Sequence, residues 1–354
     1  MRHLMLFMVA CGAIAAGPAA HAGTVTVDTV IEDDGNLSAL IESTSQRFVD
    51  AMRVLIDERY KDEYRAIRWE DLDTAMRRSR IARVEYRYAV GTELRTRVYH
   101  AMSGEPLGSI ASSAFEGPTR PNTPTTPDSG DDHSPPQSPA PPSDEVVARR
   151  VSTDAEDQRF FSGLDDVDVR ARALTFDDSQ LTPYMMDGRD ASLDAEYKAL
   201  RQLETDIRAG VVPARGQVSG IVDGPVCGSC RGAFQQFAEA YGADVRMTQM
   251  FASVTRGDEA RLLQSGRARM KGRLLVDIES GRPLLAYDAI SANREAQVRR
   301  ALNPRSMNRS FKGASWRQRS FRLSAPLPRI PERSPDGRPL PSNPDVAGPT
   351  PPGC

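Results

Sequence analysis

Histidine is almost missing from this chain. Four are present in 354 residues, at positions 3, 21, 100 and 133. The C-terminal part therefore offers no Ser-His or Cys-His nucleophilic pair and no H-E-x-x-H metal motif. Cysteine is as sparse, with Cys11, Cys227, Cys230 and Cys354 too few to make a disulfide framework. Phosphate-binding glycine motifs are absent, as are repeats at solenoid spacing. No apolar run reaches the length of a membrane span. Aromatic residues make up only 6%, a shortfall explained by two proline-rich stretches and not by a chain unable to fold.

What is present divides the chain. Arg2 and His3 precede an apolar run from Leu4 to Ala16, and Ala20-His21-Ala22 supplies a small-x-small cleavage site. Residues 1–22 thus read as a signal peptide cut after Ala22, which predicts a secreted or periplasmic protein. Residues 24–116 read as a small α+β domain. A helical pattern runs from Leu37 to Tyr60, and an alternating hairpin from Ala82 to Tyr99 turns near Gly91. His100 and Trp69 in this segment are expected to be structural. Residues 117–147 and 326–354 are dense in Pro, with Ser, Thr and Asp, and cannot bury a core; they are expected to be a disordered linker and tail.

The segment 148–325 alternates. A strand is predicted over 167–176, a helix over 192–209 ended by Gly210, and a strand over 217–222. A helix over 227–241 ended by Gly242 follows, then a strand over 245–254, a hairpin over 274–287 around Ser280-Gly281, and a helix over 293–302. This order predicts an α/β sheet with helices packed on it.

The chemistry lies in two short stretches. In Ser192-Leu193-Asp194-Ala195-Glu196-Tyr197, Glu196 shares a helix face with Leu193, Leu200, Leu203 and Ile207. A carboxylate aimed at a core needs a partner. In Gly224-Pro225-Val226-Cys227-Gly228-Ser229-Cys230, two thiols open a helix, where unpaired amides and the dipole favour thiolate. Two thiolates three residues apart can hold one zinc ion, and Asp194 can donate a third ligand. Glu196 would then move protons and not ligate. The same spacing also suits a redox pair, a local disulfide or a structural metal site.

Asp194-Ala195-Glu196, followed across a predicted strand by Pro225 and Cys227-Gly228-Ser229-Cys230, resembles the zinc-dependent nucleobase deaminase superfamily, with its H-x-E and P-C-x-x-C signature. The run on through Phe234, Phe237 and Tyr241-Gly242 looks like the deaminase domains of secreted bacterial polymorphic toxins. The resemblance covers roughly residues 165–290. Asp194 stands where the family usually has His or Cys, and Val226 separates the proline from Cys227. The resemblance implies a mixed sheet with helices on both faces, a bound Zn2+ and hydrolysis of the exocyclic amine of cytosine or adenine, cytosine favoured. It also implies use as an exported toxin or effector, with a possible immunity protein as partner.

Charge points to a polyanion. Between Ser291 and Leu323 there are nine basic residues and one acid, Glu295. Arg294, Arg299, Arg300, Arg305, Arg309, Lys312, Arg317 and Arg319, with Trp316 among them, are the candidate nucleic-acid contacts. Two other classes stay open: a secreted thiol–disulfide protein, and a non-enzymatic module with a Cys227–Cys230 disulfide or structural metal site.

Overall fold

A computed structural model describes residues 23–32, 36–116, 142–182, 185–186, 189–250 and 256–310. The expected signal peptide, most of the linker, the tail, Lys312, Trp316, Arg317, Arg319 and Cys354 lie outside the described residues, as does the side chain of Arg309. Among the described residues, no helix is long and apolar enough to cross a membrane.

The protein is α/β, built on a mixed six-stranded sheet. In chain order the elements are β1 (Val25–Val30), α1 (Asn36–Arg59), α2 (Trp69–Arg78), β2 (Ile81–Val90), β3 (Glu93–Met102), α3 (Leu107–Glu116), α4 (Asp144–Asp157) and β4 (Asp168–Arg170). The two-residue strands β5 (Met185–Met186) and β6 (Arg189–Asp190) precede α5 (Ala195–Arg208), β7 (Gln217–Val222), α6 (Gly228–Tyr241) and β8 (Asp244–Met250). Then come α7 (Arg256–Gln264), a hairpin of β9 (Ala268–Lys271) and β10 (Leu274–Asp277), α8 (Ala286–Ala301) and α9 (Pro304–Ser310).

The sheet order is β1-β8-β7-β2-β3-β4. Strands β1, β8 and β7 run parallel, β2 is antiparallel to both β7 and β3, and β4 is parallel to β3. Helix α6 makes the crossover from β7 to β8 that two parallel neighbours require. The expectation of a separate N-terminal domain over 24–116 is therefore corrected. Its strands β1, β2 and β3 share one sheet with β4, β7 and β8 of the 148–325 segment. Short-range patterning finds strands but carries no information on which distant strand each will pair with. The linker expectation is corrected at its end too, since α4 begins at Asp144.

Strand alternation assigns the two faces. Ala82, Val84, Tyr86, Tyr99, Ala101, Val218, Val222, Val245 and Met247 point to one side and form a core with α5 and α6. Ile81, Met102, Ile221 and Met250 point to the other, against α1, α3 and α8. In α6, Phe234 and Phe237 are fully buried, and each such ring contributes about 1.5–3 kcal/mol. The helix stops at Gly242, whose φ of 58° is the left-handed conformation that a glycine adopts without a Cβ penalty.

Candidate metal centre

Helix α5 lies so deep that all its charged residues but Arg208 are buried with its apolar ones. The 171–182 segment accounts for this by wrapping over it. Tyr197 donates to the Leu181 carbonyl, Arg201 donates to the Thr175 carbonyl and pairs with Glu204, and Glu204 accepts from the Ser179 hydroxyl and the Gln180 amide. Lys198 reaches the Met102 and Gly104 carbonyls at 3.1 and 2.6 Å. A helix tied on so many sides holds its first turn in a defined place. That turn carries the site.

The helix is shorter than the sequence predicts. Ala191–Leu193 is a 3-10 turn started by the Asp190 side chain, and Asp194 is the N-cap of α5. The thiols are set by the β7–α6 connection. Asp223 Oδ1 accepts from the Ile81 amide at 2.8 Å, and Gln249 Oε1 accepts from the Val226 amide at 2.8 Å. Cys227 caps α6, its sulfur accepting from the Cys230 amide at 3.3 Å.

These two helix starts converge. Both sulfurs are free thiols, 3.1 Å apart. Asp194 Oδ2 is 3.3 Å from the Cys227 sulfur and 3.5 Å from that of Cys230. Among the described residues, Asp194, Cys227 and Cys230 offer one ligand atom each, all within 4.8 Å of one another. Ideal zinc bond lengths and tetrahedral angles put a sulfur and an oxygen ligand about 3.5 Å apart and two sulfurs about 3.8 Å apart. The sulfur–oxygen distances fit that triangle, and the sulfurs need open by only about 0.7 Å. Two thiolates and a carboxylate form a donor set suited to a divalent transition metal.

The electrostatics agree with a crowded anionic pocket. Glu196, on the first turn of α5, is 3% exposed. Burial, with repulsion from Asp194, Cys227 and Asp223, pushes its carboxyl up to about 8 against the pull of its own backbone amide. Cys227 is drawn down to about 7 by the hydrogen bond with the Cys230 thiol and by the Cys230 amide. The same sulfur–sulfur bond and burial push Cys230 up.

The other expectations sort by burial. His100 is buried between the Thr44 hydroxyl at 2.9 Å and Asp168 at 2.8 Å, and Trp69 donates to the Tyr64 carbonyl. Asp154, which opens another Asp-Ala-Glu run in the sequence, is paired with Arg170 at 2.8 Å. Arg294, expected on a basic surface, is buried and paired with Asp223, because α8 starts at Ala286 and turns that residue inward. Arg299, Arg300 and Arg305 are exposed, with Arg299 paired to Glu295. Asp223 and Gln249, which position the thiol loop, belong to no sequence motif. The only local signal was a carboxylate just past a strand end. No family model, curated protein or solved structure matches this chain.

Proposed function

We propose that this protein is a zinc-dependent nucleobase deaminase, exported as a toxin or effector, with the cytidine-deaminase-like arrangement of two helix starts facing one metal. The observation that carries the reading is the meeting of Asp194, Cys227 and Cys230 beside a buried Glu196 two residues from Asp194. In this reading Asp194, Cys227 and Cys230 hold the ion. When bound, zinc supplies an activated water nucleophile near neutral pH. The Glu196 carboxyl, lowered again by the charge of a bound ion, could accept a proton from that water and deliver it to the base while the ring gains an oxygen and ammonia leaves. Burial of Glu196 keeps bulk water from competing for that proton. The exposed Arg299, Arg300 and Arg305 suit a phosphate-bearing substrate.

Glu196→Gln tests the role. It should keep zinc and lose about 10²–10⁴-fold in ammonia release from cytosine-containing substrates, the usual weight of a general acid–base. Turnover at the wild-type rate in that variant would remove Glu196 from the mechanism. No ammonia from any cytosine or adenine substrate with the zinc-loaded protein would end the deaminase reading.

The 3.1 Å between the sulfurs favours as second reading a secreted thiol–disulfide or non-enzymatic module, since it is shorter than the roughly 3.8 Å a zinc ion imposes. In a disulfide neither sulfur could donate to Asp194, whereas a bound ion would take that carboxylate as a ligand. Reduction potential and reductase activity separate the two.

A further inference from the structure

A cavity of about 210 Å³ opens where β7 ends and β2 begins. Carboxyl ends of parallel strands are the usual place for a ligand in such a sheet. Arg77 and Arg78 from the end of α2, Arg80 just ahead of β2 and Arg294 from α8 line it, against one carboxylate, Asp223. Tyr287 and Ser291 complete one wall.

The arginines are not balanced. Asp223 pairs with Arg294 through Oδ2, while its Oδ1 accepts from the Ile81 amide. Arg77 is shared between Asp73 and Glu295. Arg294 is 6% exposed, donates to the Ser79 carbonyl, and leaves its Nε without a partner among the described residues. Arg80 lies against Gly224, where a Cβ would fall on its Nη1, and that buried nitrogen has no partner either. Each unpartnered buried donor costs about 1–3 kcal/mol. These two nitrogens are closed off from the cavity, so a ligand there would meet the accessible edges of the Arg77, Arg78 and Arg80 guanidiniums. Several guanidinium forks converging on a polar hollow match a phosphoryl group, which brings three acceptor oxygens and about −1.5 to −2 charge.

The cavity and the metal centre are close along the chain. Asp223 and Cys227 are joined by only Gly224-Pro225-Val226. We propose that this cavity binds phosphate, and that its ligand is the phosphate of a nucleotide whose base reaches the Asp194–Cys227–Cys230 centre; the second clause rests on the deaminase reading. The substrate class is then a phosphorylated nucleotide or a strand end and not a free base or nucleoside.

Isothermal titration of the full zinc-loaded chain with inorganic phosphate, cytidine, cytidine 5′-monophosphate and a dephosphorylated single-stranded oligonucleotide tests this. Inorganic phosphate should bind, and Arg80→Gln and Arg78→Gln should each weaken it by about ten-fold or more with zinc content unchanged. The monophosphate should bind about ten-fold or more tighter than cytidine, and Arg80→Gln should close that gap. An oligonucleotide that binds only through Arg80 would make an internal phosphodiester the source of the phosphate. No phosphate binding, or binding untouched by both substitutions, overturns the proposal. Arg80-dependent phosphate binding with cytidine adding nothing to the monophosphate leaves the phosphate site standing and removes its link to a deaminase substrate.

Discussion

Metal should stabilise this protein by an amount that disappears when any one ligand is lost. A ligand at 100 times its dissociation constant stabilises the native state by about 2.7 kcal/mol. In a domain of this size 1 kcal/mol moves Tm by about 2–4 °C, so zinc over chelator should raise Tm by roughly 5–10 °C. Asp194 is the informative position. It stands at the N-cap of α5, yet its side chain makes no capping hydrogen bond. Asp194→Ala therefore removes a ligand without removing a cap, and the chelated variant should remain folded. Cys230 is 1% exposed inside the core, so Cys230→Ser should cost about 1–3 kcal/mol even without metal, by burying a hydroxyl. Both variants should lose the zinc-dependent shift. The assay is a thermal melt under reducing conditions with zinc or chelator, alongside zinc content by mass spectrometry, expected at about one ion per chain as for a single site. A wild-type shift in Asp194→Ala, or none in the wild type, refutes the three-ligand centre.

Acid should weaken the fold through His100. Burial holds its imidazole down to about 4, against the pull of Asp168. The unfolded chain takes up a proton near 6.5 that the folded chain refuses, so the stabilisation is present above pH 6.5 and lost as pH falls towards 4. The full loss is roughly 3 kcal/mol. Denaturant melts from pH 7 to 4 should fall more gently in His100→Gln; equal slopes would show that His100 does not carry the effect. Phe237→Ala, which empties a fully buried ring position under α6, should cost about 3–5 kcal/mol by urea denaturation. A loss under about 1 kcal/mol would mean that α6 does not pack as described.

Much of the local structure was legible in the sequence because its signals are local. The β7 strand over Gln217–Val222, the hairpin turn at Gly91 and the stop of α6 at Gly242 follow from alternation and from glycine's access to positive φ. The burial of Glu196 was legible too, from the apolar stripe around it, and so were two members of the clustered group, since paired thiols at a helix start are unusual enough to stand out. The predicted strand over 167–176 shrank to Asp168–Arg170, because the following residues cover α5 and make no ladder. Arg294 was misread, because a cluster of basic residues in sequence does not say which of them turns inward.

The sequence by itself determined the elements with strong local signals, such as α1, β2, β3, β7 and α6, and the kind of chemistry available in the C-terminal segment: thiols and carboxylates without histidine. Only the tertiary structure decided that one sheet joins both halves of the chain, since strand pairing depends on which distant backbones meet. It alone decided that Asp194 lies within 3.5 Å of both sulfurs. A distance between residues more than thirty positions apart is set by how two helices pack on a shared sheet, and no local pattern encodes it.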